Sequence, residues 1–113
     1  MHELSLVEGI RGILEEAAAI HNAGKIVRVR LEVGAFACVE REALDFAWEV
    51  VMRGSKAEGA ALEITVLPGQ AFCYDCMKMV RLDSRFNPCP DCGGGKLLPR
   101  TGDDLRIRNM EVA

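Results

Sequence analysis

Four cysteines fall in two pairs, Cys73-Tyr74-Asp75-Cys76 and Cys89-Pro90-Asp91-Cys92, with twelve residues between the pairs. Two residues between cysteines let a tight turn aim both sulfurs at one point. Two such turns brought together make a tetrahedral thiolate cage with Zn–S distances of about 2.3 Å. The Pro and Gly of Pro88-Cys89-Pro90-Asp91-Cys92-Gly93-Gly94-Gly95 supply the backbone angles such a knuckle needs. Disulfides are the first rival, but nothing else in the chain suggests export. A thioredoxin-like redox pair needs a single C-x-x-C opening a helix after a strand, and here two lie on turn-rich sequence. Iron held by four thiolates is the remaining rival. Structural Zn(II) is the favoured expectation, because a closed tetrathiolate site keeps no position open for a substrate.

A second set of donors lies at the start of the chain. The ring nitrogen and backbone nitrogen of His2 can close a six-membered chelate ring, extended by the Met1 amine or the Glu3 amide. Nitrogen-rich, square-planar sites of this kind suit Ni(II) or Cu(II). The plain alternative is an incidental histidine at a solvated helix start. His21 reads as a helix C-terminal residue favoured by the dipole. It stands about 28 Å from His2 along an intact helix at about 1.5 Å per residue, too far to share one ion. Cys38 is expected to be a buried thiol, and Met77 and Met79 are expected to pack around the cysteines. No nucleophile–base pair, phosphate-cradling Gly loop or carboxylate pair stands out, which argues against an enzyme.

The chain has 113 residues and a net charge of −3. Residues 1–71 hold seven Lys/Arg against eleven Asp/Glu, and residues 72–100 hold five against three. No basic stripe results, so nucleic-acid binding, which draws on phosphate neutralisation, is disfavoured. No signal peptide or membrane span is expected, and an odd number of cysteines without an export signal points to the cytoplasm.

These donors need elements to position them. Leu4, Leu6, Val7, Ile10, Ile13, Leu14, Ala17, Ala18 and Ile20 predict an amphipathic helix over 3–22, stopped at Gly24. Residues 25–34 alternate, with Val27, Val29, Leu31 and Val33 on one face and Arg28, Arg30 and Glu32 on the other. A second helix is predicted near 40–53, with Ala43, Leu44, Phe46, Ala47, Val50 and Val51 apolar and Trp48 and Met52 widening the stripe. Strands follow over 61–67 and 104–112, the latter with a phase slip at Asn109 that implies a bulge. The expected architecture is α+β: a three-stranded mixed sheet with two helices on one face, plus an inserted zinc-ribbon-like four-cysteine module. The expected domains are 1–69 with 102–113, which carries His2, and 70–101, which carries the four cysteines.

Met1-His2-Glu3 opening a helix, Val33-Gly34 leading into a Glu-rich helix, Arg53-Gly54-Ser55 with Glu58-Gly59-Ala60 before a strand, and the paired C-x-x-C module together resemble the HypA/HybF family. These are nickel-insertion accessory proteins of [NiFe]-hydrogenase maturation, some of which also serve urease. The resemblance implies a nickel metallochaperone with His2 as ligand to transported Ni(II), and Cys73, Cys76, Cys89 and Cys92 holding structural Zn(II). It also implies a HypB-like GTPase and the hydrogenase large-subunit precursor as partners. A homodimer stands as a further option. The chain has Asp104 where the family usually has Glu, and it offers no third imidazole. The rival function class is a zinc-ribbon adaptor without nickel transfer.

Overall fold

The computed structural model describes residues 2–113. The element order is α1 (His2–Ile20), β1 (Ile26–Gly34), α2 (Arg41–Met52), β2 (Ala61–Leu67), β3 (Gly69–Cys73), β4 (Lys78–Leu82), β5 (Leu97–Thr101) and β6 (Leu105–Val112). The chain forms two compact units, one of residues 1–31, 39–63 and 107–113, the other of 32–38 and 64–106.

In the first unit, α1 buries Val7, Ile10, Leu14 and Ala18, a stripe at helical spacing. The helix ends earlier than Gly24. Asn22 takes the left-handed conformation (φ 53°), Ala23 N–H donates to Ala18 O (2.8 Å), and Asn22 N–H donates to Ala19 O (3.2 Å). This is a Schellman stop, and Asn supplies the left-handed residue in place of Gly. Helix α2 buries Leu44, Ala47, Trp48, Val51 and Met52. Phe46 and Val50, expected on that face, are exposed, as is Ile13 of α1. An apolar face read from composition is wider than the stripe a helix can bury.

The end of α2 is satisfied from α1. Arg11 Nη1 donates to Val51 O (2.6 Å) and more weakly to Arg53 O (3.3 Å). Ser55 Oγ donates to Met52 O, and Lys56 N–H donates to Glu15 Oε1, both at 2.7 Å. The Arg11 and Ser55 bonds occupy carbonyls that a helix end leaves without intrahelical partners, and the Lys56 bond ties the turn after α2 to Glu15.

Strand β1 is central in a mixed sheet of order β2-β1-β6. Ala35 N–H donates to Leu67 O (2.8 Å), bringing together the C-terminal ends of β1 and β2, so these two run parallel. Gly34 N–H donates to Asp104 O (2.8 Å) and Ala113 N–H to Lys25 O (3.1 Å), so β6 runs against β1. One face buries Val29, Leu31 and Val33 as expected, but at the strand's start Ile26 is buried and Val27 is exposed. The other face is a charge lattice. Arg28 pairs with Glu63 and with Glu111 (2.7 Å), while Arg30 reaches Glu63 (3.3 Å) and Asn109 Oδ1 (3.0 Å). The half-buried positions of β6 pass from Leu105 and Ile107 to Met110, which is the phase slip expected at Asn109.

The second unit holds strands where the sequence suggested only a turn-rich module. They form an antiparallel sheet of order β4-β3-β5, with Cys73 opposite Lys78 on one side and Leu97 on the other. Its inner face packs Phe36, Ala71, Cys73, Val80, Leu82 and Cys89 into one cluster. A cysteine at the end of β3 is thereby fixed by the same residues that form this core.

Candidate metal centre

Each cysteine pair sits on a turn of the same build. In the first, Met77 N–H donates to Cys73 O (2.7 Å) and Met77 is left-handed at φ 56°. In the second, Gly93 N–H donates to Cys89 O (2.8 Å) and Gly93 stands at φ 72°. The residue after each second cysteine therefore turns the chain back. Glycine adopts this conformation freely, whereas methionine is strained in it. Backbone N–H groups also point at sulfur: Cys76 N–H to Cys73 Sγ and Gly94 N–H to Cys92 Sγ, both at 3.4 Å.

The four sulfurs lie within 4.8 Å of one another. Cys73 Sγ is 3.7 Å from Cys92 Sγ, and Cys76 Sγ is 3.8 Å from Cys89 Sγ. A tetrahedron with metal–sulfur bonds of about 2.3 Å has edges of about 3.8 Å, so these two separations match the edge of a zinc site. Disulfide bonding at about 2.05 Å is far from these separations, and all four are free thiols. Cys73 and Cys89 are buried, Cys76 is half-buried and Cys92 is exposed.

Crowded thiols cannot all ionise without a cation. Hydrogen bonds from the backbone N–H groups of Cys92 and Asp91 outweigh the opposing effect of desolvation and hold the Cys89 thiol down at about 7. Hydrogen bonding with Cys92, followed by desolvation, pushes Cys76 up to about 12. A divalent ion at the centre would supply the charge that lets all four be thiolates.

Outer groups were missed by the sequence reading. Lys78 Nζ stands 2.5 Å from Asp91 Oδ2, which raises the Lys78 pKa above its ordinary value. The signal was present: both knuckles read C-x-D-C. Met77 and Met79, expected to pack around the cysteines, are exposed instead. Met79 lies opposite Phe72 in the β3–β4 register, on the face away from Cys73.

His2, in contrast, is an exposed residue in the first turn of α1. Its neighbour Glu3 accepts a hydrogen bond from Glu40 N–H (3.3 Å), at the N-cap of α2. Hydrogen bonds from its own backbone N–H and from that of Glu40 hold the Glu3 carboxyl below the usual carboxylate range. His21 is exposed beyond the end of α1. Met1 lies outside the described residues. Cys38, expected to be buried, is exposed in a left-handed turn (φ 56°), its Sγ 3.6 Å from Phe36 O. No helix among the described residues is long and apolar enough to cross a membrane.

A family model described as hydrogenase/urease nickel incorporation, metallochaperone, HypA, matches residues 1–112. Hydrogenase maturation factor HypA of Paracoccus denitrificans is 61% identical over 112 residues, covering 99% of each chain. Its namesakes in Cereibacter sphaeroides and Rhodobacter capsulatus are 58% and 57% identical, again over 99% of each chain. The solution structure of the Ni metallochaperone HypA from Helicobacter pylori superposes with a TM-score of 0.69 at 23% identity, covering 97% of this chain and 96% of that one. A second HypA solution structure gives 0.70 at 24% identity, covering 100% and 97%. With the four-cysteine cluster in place and the match running the length of the chain, this protein belongs to the HypA family of hydrogenase/urease nickel incorporation proteins.

Proposed function

We propose that this chain is a non-catalytic nickel carrier of the cytoplasm. It binds Ni(II) through His2 and delivers it, with a HypB-like GTPase, to the [NiFe]-hydrogenase large-subunit precursor. Cys73, Cys76, Cys89 and Cys92 hold a structural Zn(II) ion. Segments 1–69 and 102–113 serve nickel, and 70–101 serves zinc.

The observation that carries this reading is the placement of His2: exposed, in the first turn of α1, and in a different compact unit from the four thiols. The first four N–H groups of a helix have no partner in its hydrogen-bond ladder. Backbone nitrogens at His2 and Glu3 can therefore be deprotonated and given to a square-planar ion without cutting that ladder. The thiols offer a soft, closed cage that suits zinc and leaves no open coordination position.

The test is His2→Ala, titrated with Ni(II) and assayed for zinc. Nickel binding should be lost, while one zinc per chain and the helical circular dichroism remain. Undiminished nickel binding by the variant refutes the assignment and leaves a zinc-ribbon adaptor as the better reading.

A further inference from the structure

The two knuckles are joined crosswise by groups that do not face the centre of the cage. The aspartate of each C-x-D-C meets a lysine that follows the other knuckle. Lys78 Nζ lies 2.5 Å from Asp91 Oδ2, and Lys96 Nζ lies 3.9 Å from Asp75 Oδ1. Asp75 also overlies the second knuckle: a Cβ added at Gly94 would meet Asp75 Oδ2 at 2.8 Å and Cys92 Sγ at 3.3 Å. The backbone repeats the crossing, with Tyr74 N–H donating to Lys96 O at 3.0 Å.

Solvent-exposed ion pairs contribute little to folding free energy. These pairs differ in what they connect. A divalent ion in four thiolates leaves the cage two charges negative, and the ion escapes when the knuckles part. Each ammonium–carboxylate pair is neutral and leaves that charge unchanged, but as a bridge between the knuckles it opposes their parting. Groups outside the ligand shell that hold the ligands in place tune metal affinity about 10–100-fold.

We propose that Lys78–Asp91 and Lys96–Asp75 form a cross-knuckle clamp of positioning residues that sets how slowly the bound ion leaves. The clamp rests on the reading of the four cysteines as a zinc site. The closer pair, Lys78–Asp91, carries the larger share.

The experiment follows zinc transfer from the full chain to an excess of a chromogenic chelator. Its variants are Lys78→Gln, Asp91→Asn and the charge exchange Lys78→Asp with Asp91→Lys. Each should load one zinc, and cobalt(II) loading should show the parent's thiolate charge-transfer band, so that the same four sulfurs ligate. The single variants should release zinc about tenfold faster. The charge exchange should return the rate towards the parent's. About 1 M salt, where the Debye length is about 3 Å, should speed release from the parent and narrow its gap to the variants. Single variants that release at the parent rate, or a charge exchange that fails to restore it, overturn the clamp alone. A parent chain that takes up no zinc overturns the site and the clamp together.

Discussion

The ring of Phe36 lies against the backbone of Gly69, so closely that a Cβ added there would stand 2.3 Å from the ring's Cε2. Gly102 completes the contact, since its own added Cβ would stand 2.6 Å from the Gly69 Cα. Phe36 is almost wholly buried and shares a cluster with Cys73 and Cys89. Gly69 and Gly102 thus make room for an aromatic ring that shares one core cluster with two of the four cysteines.

Gly69→Ala should destabilise the chain by about 1–3 kcal/mol, the usual cost of overpacking a filled core. Gly69→Ala combined with Phe36→Leu should recover part of that loss, because the two positions share one volume. Urea denaturation of the zinc-loaded chain, followed by far-ultraviolet circular dichroism, measures both.

Met77 and Gly93 occupy equivalent left-handed positions in the two knuckles. A side chain there costs about 1–2 kcal/mol, and the added chain entropy of a glycine costs about 0.5–1 kcal/mol. The first is larger, so Met77→Gly should raise stability by up to about 1 kcal/mol, and Gly93→Ala should lower it by a similar amount. Thermal unfolding of the two variants beside the parent decides the sign.

Arg11→Met keeps most of the apolar stem but removes the donor that binds Val51 O and Arg53 O. The expected loss is about 1 kcal/mol, because the freed carbonyls can turn to water. Trp48 is the chain's one tryptophan and is buried in α2 beside Val51, so its emission reports this transition.

Glu63 bonds Arg28, and this interaction holds its carboxyl below the model-compound value of 4.5. A group whose pKa is lower in the folded than in the unfolded state adds stability above the unfolded value. That contribution fades as pH falls through the folded one. The Glu63→Gln variant should therefore be less stable than the parent at pH 7, and the difference should close below about pH 4.5. Both side chains are substantially exposed, so the effect at pH 7 should be small and reduced by salt. Paired denaturation curves at pH 7 and pH 3.5, read by Trp48 emission, test the sign.

Much was legible from spacing alone. Alternation in β1, helical recurrence in α1 and α2, and the slip at Asn109 depend on periodicities of two and 3.6 that local sequence carries. The mixed sheet and the four-cysteine site followed from the same kind of reading, since a C-x-x-C turn defines its own geometry. The antiparallel β4-β3-β5 sheet was not legible, because short strands among turn residues show their pairing only when a partner strand is present. Exposure of Phe46, Val50, Cys38 and Met77 was equally hidden, as it depends on which neighbours arrive and not on the residue's type. Sequence determined the donors and the local turns that aim them. Tertiary structure decided that Asp91 meets Lys78, that Asp75 covers Gly94 and that Phe36 fills the space at Gly69, because each contact joins segments that only the folded chain brings together.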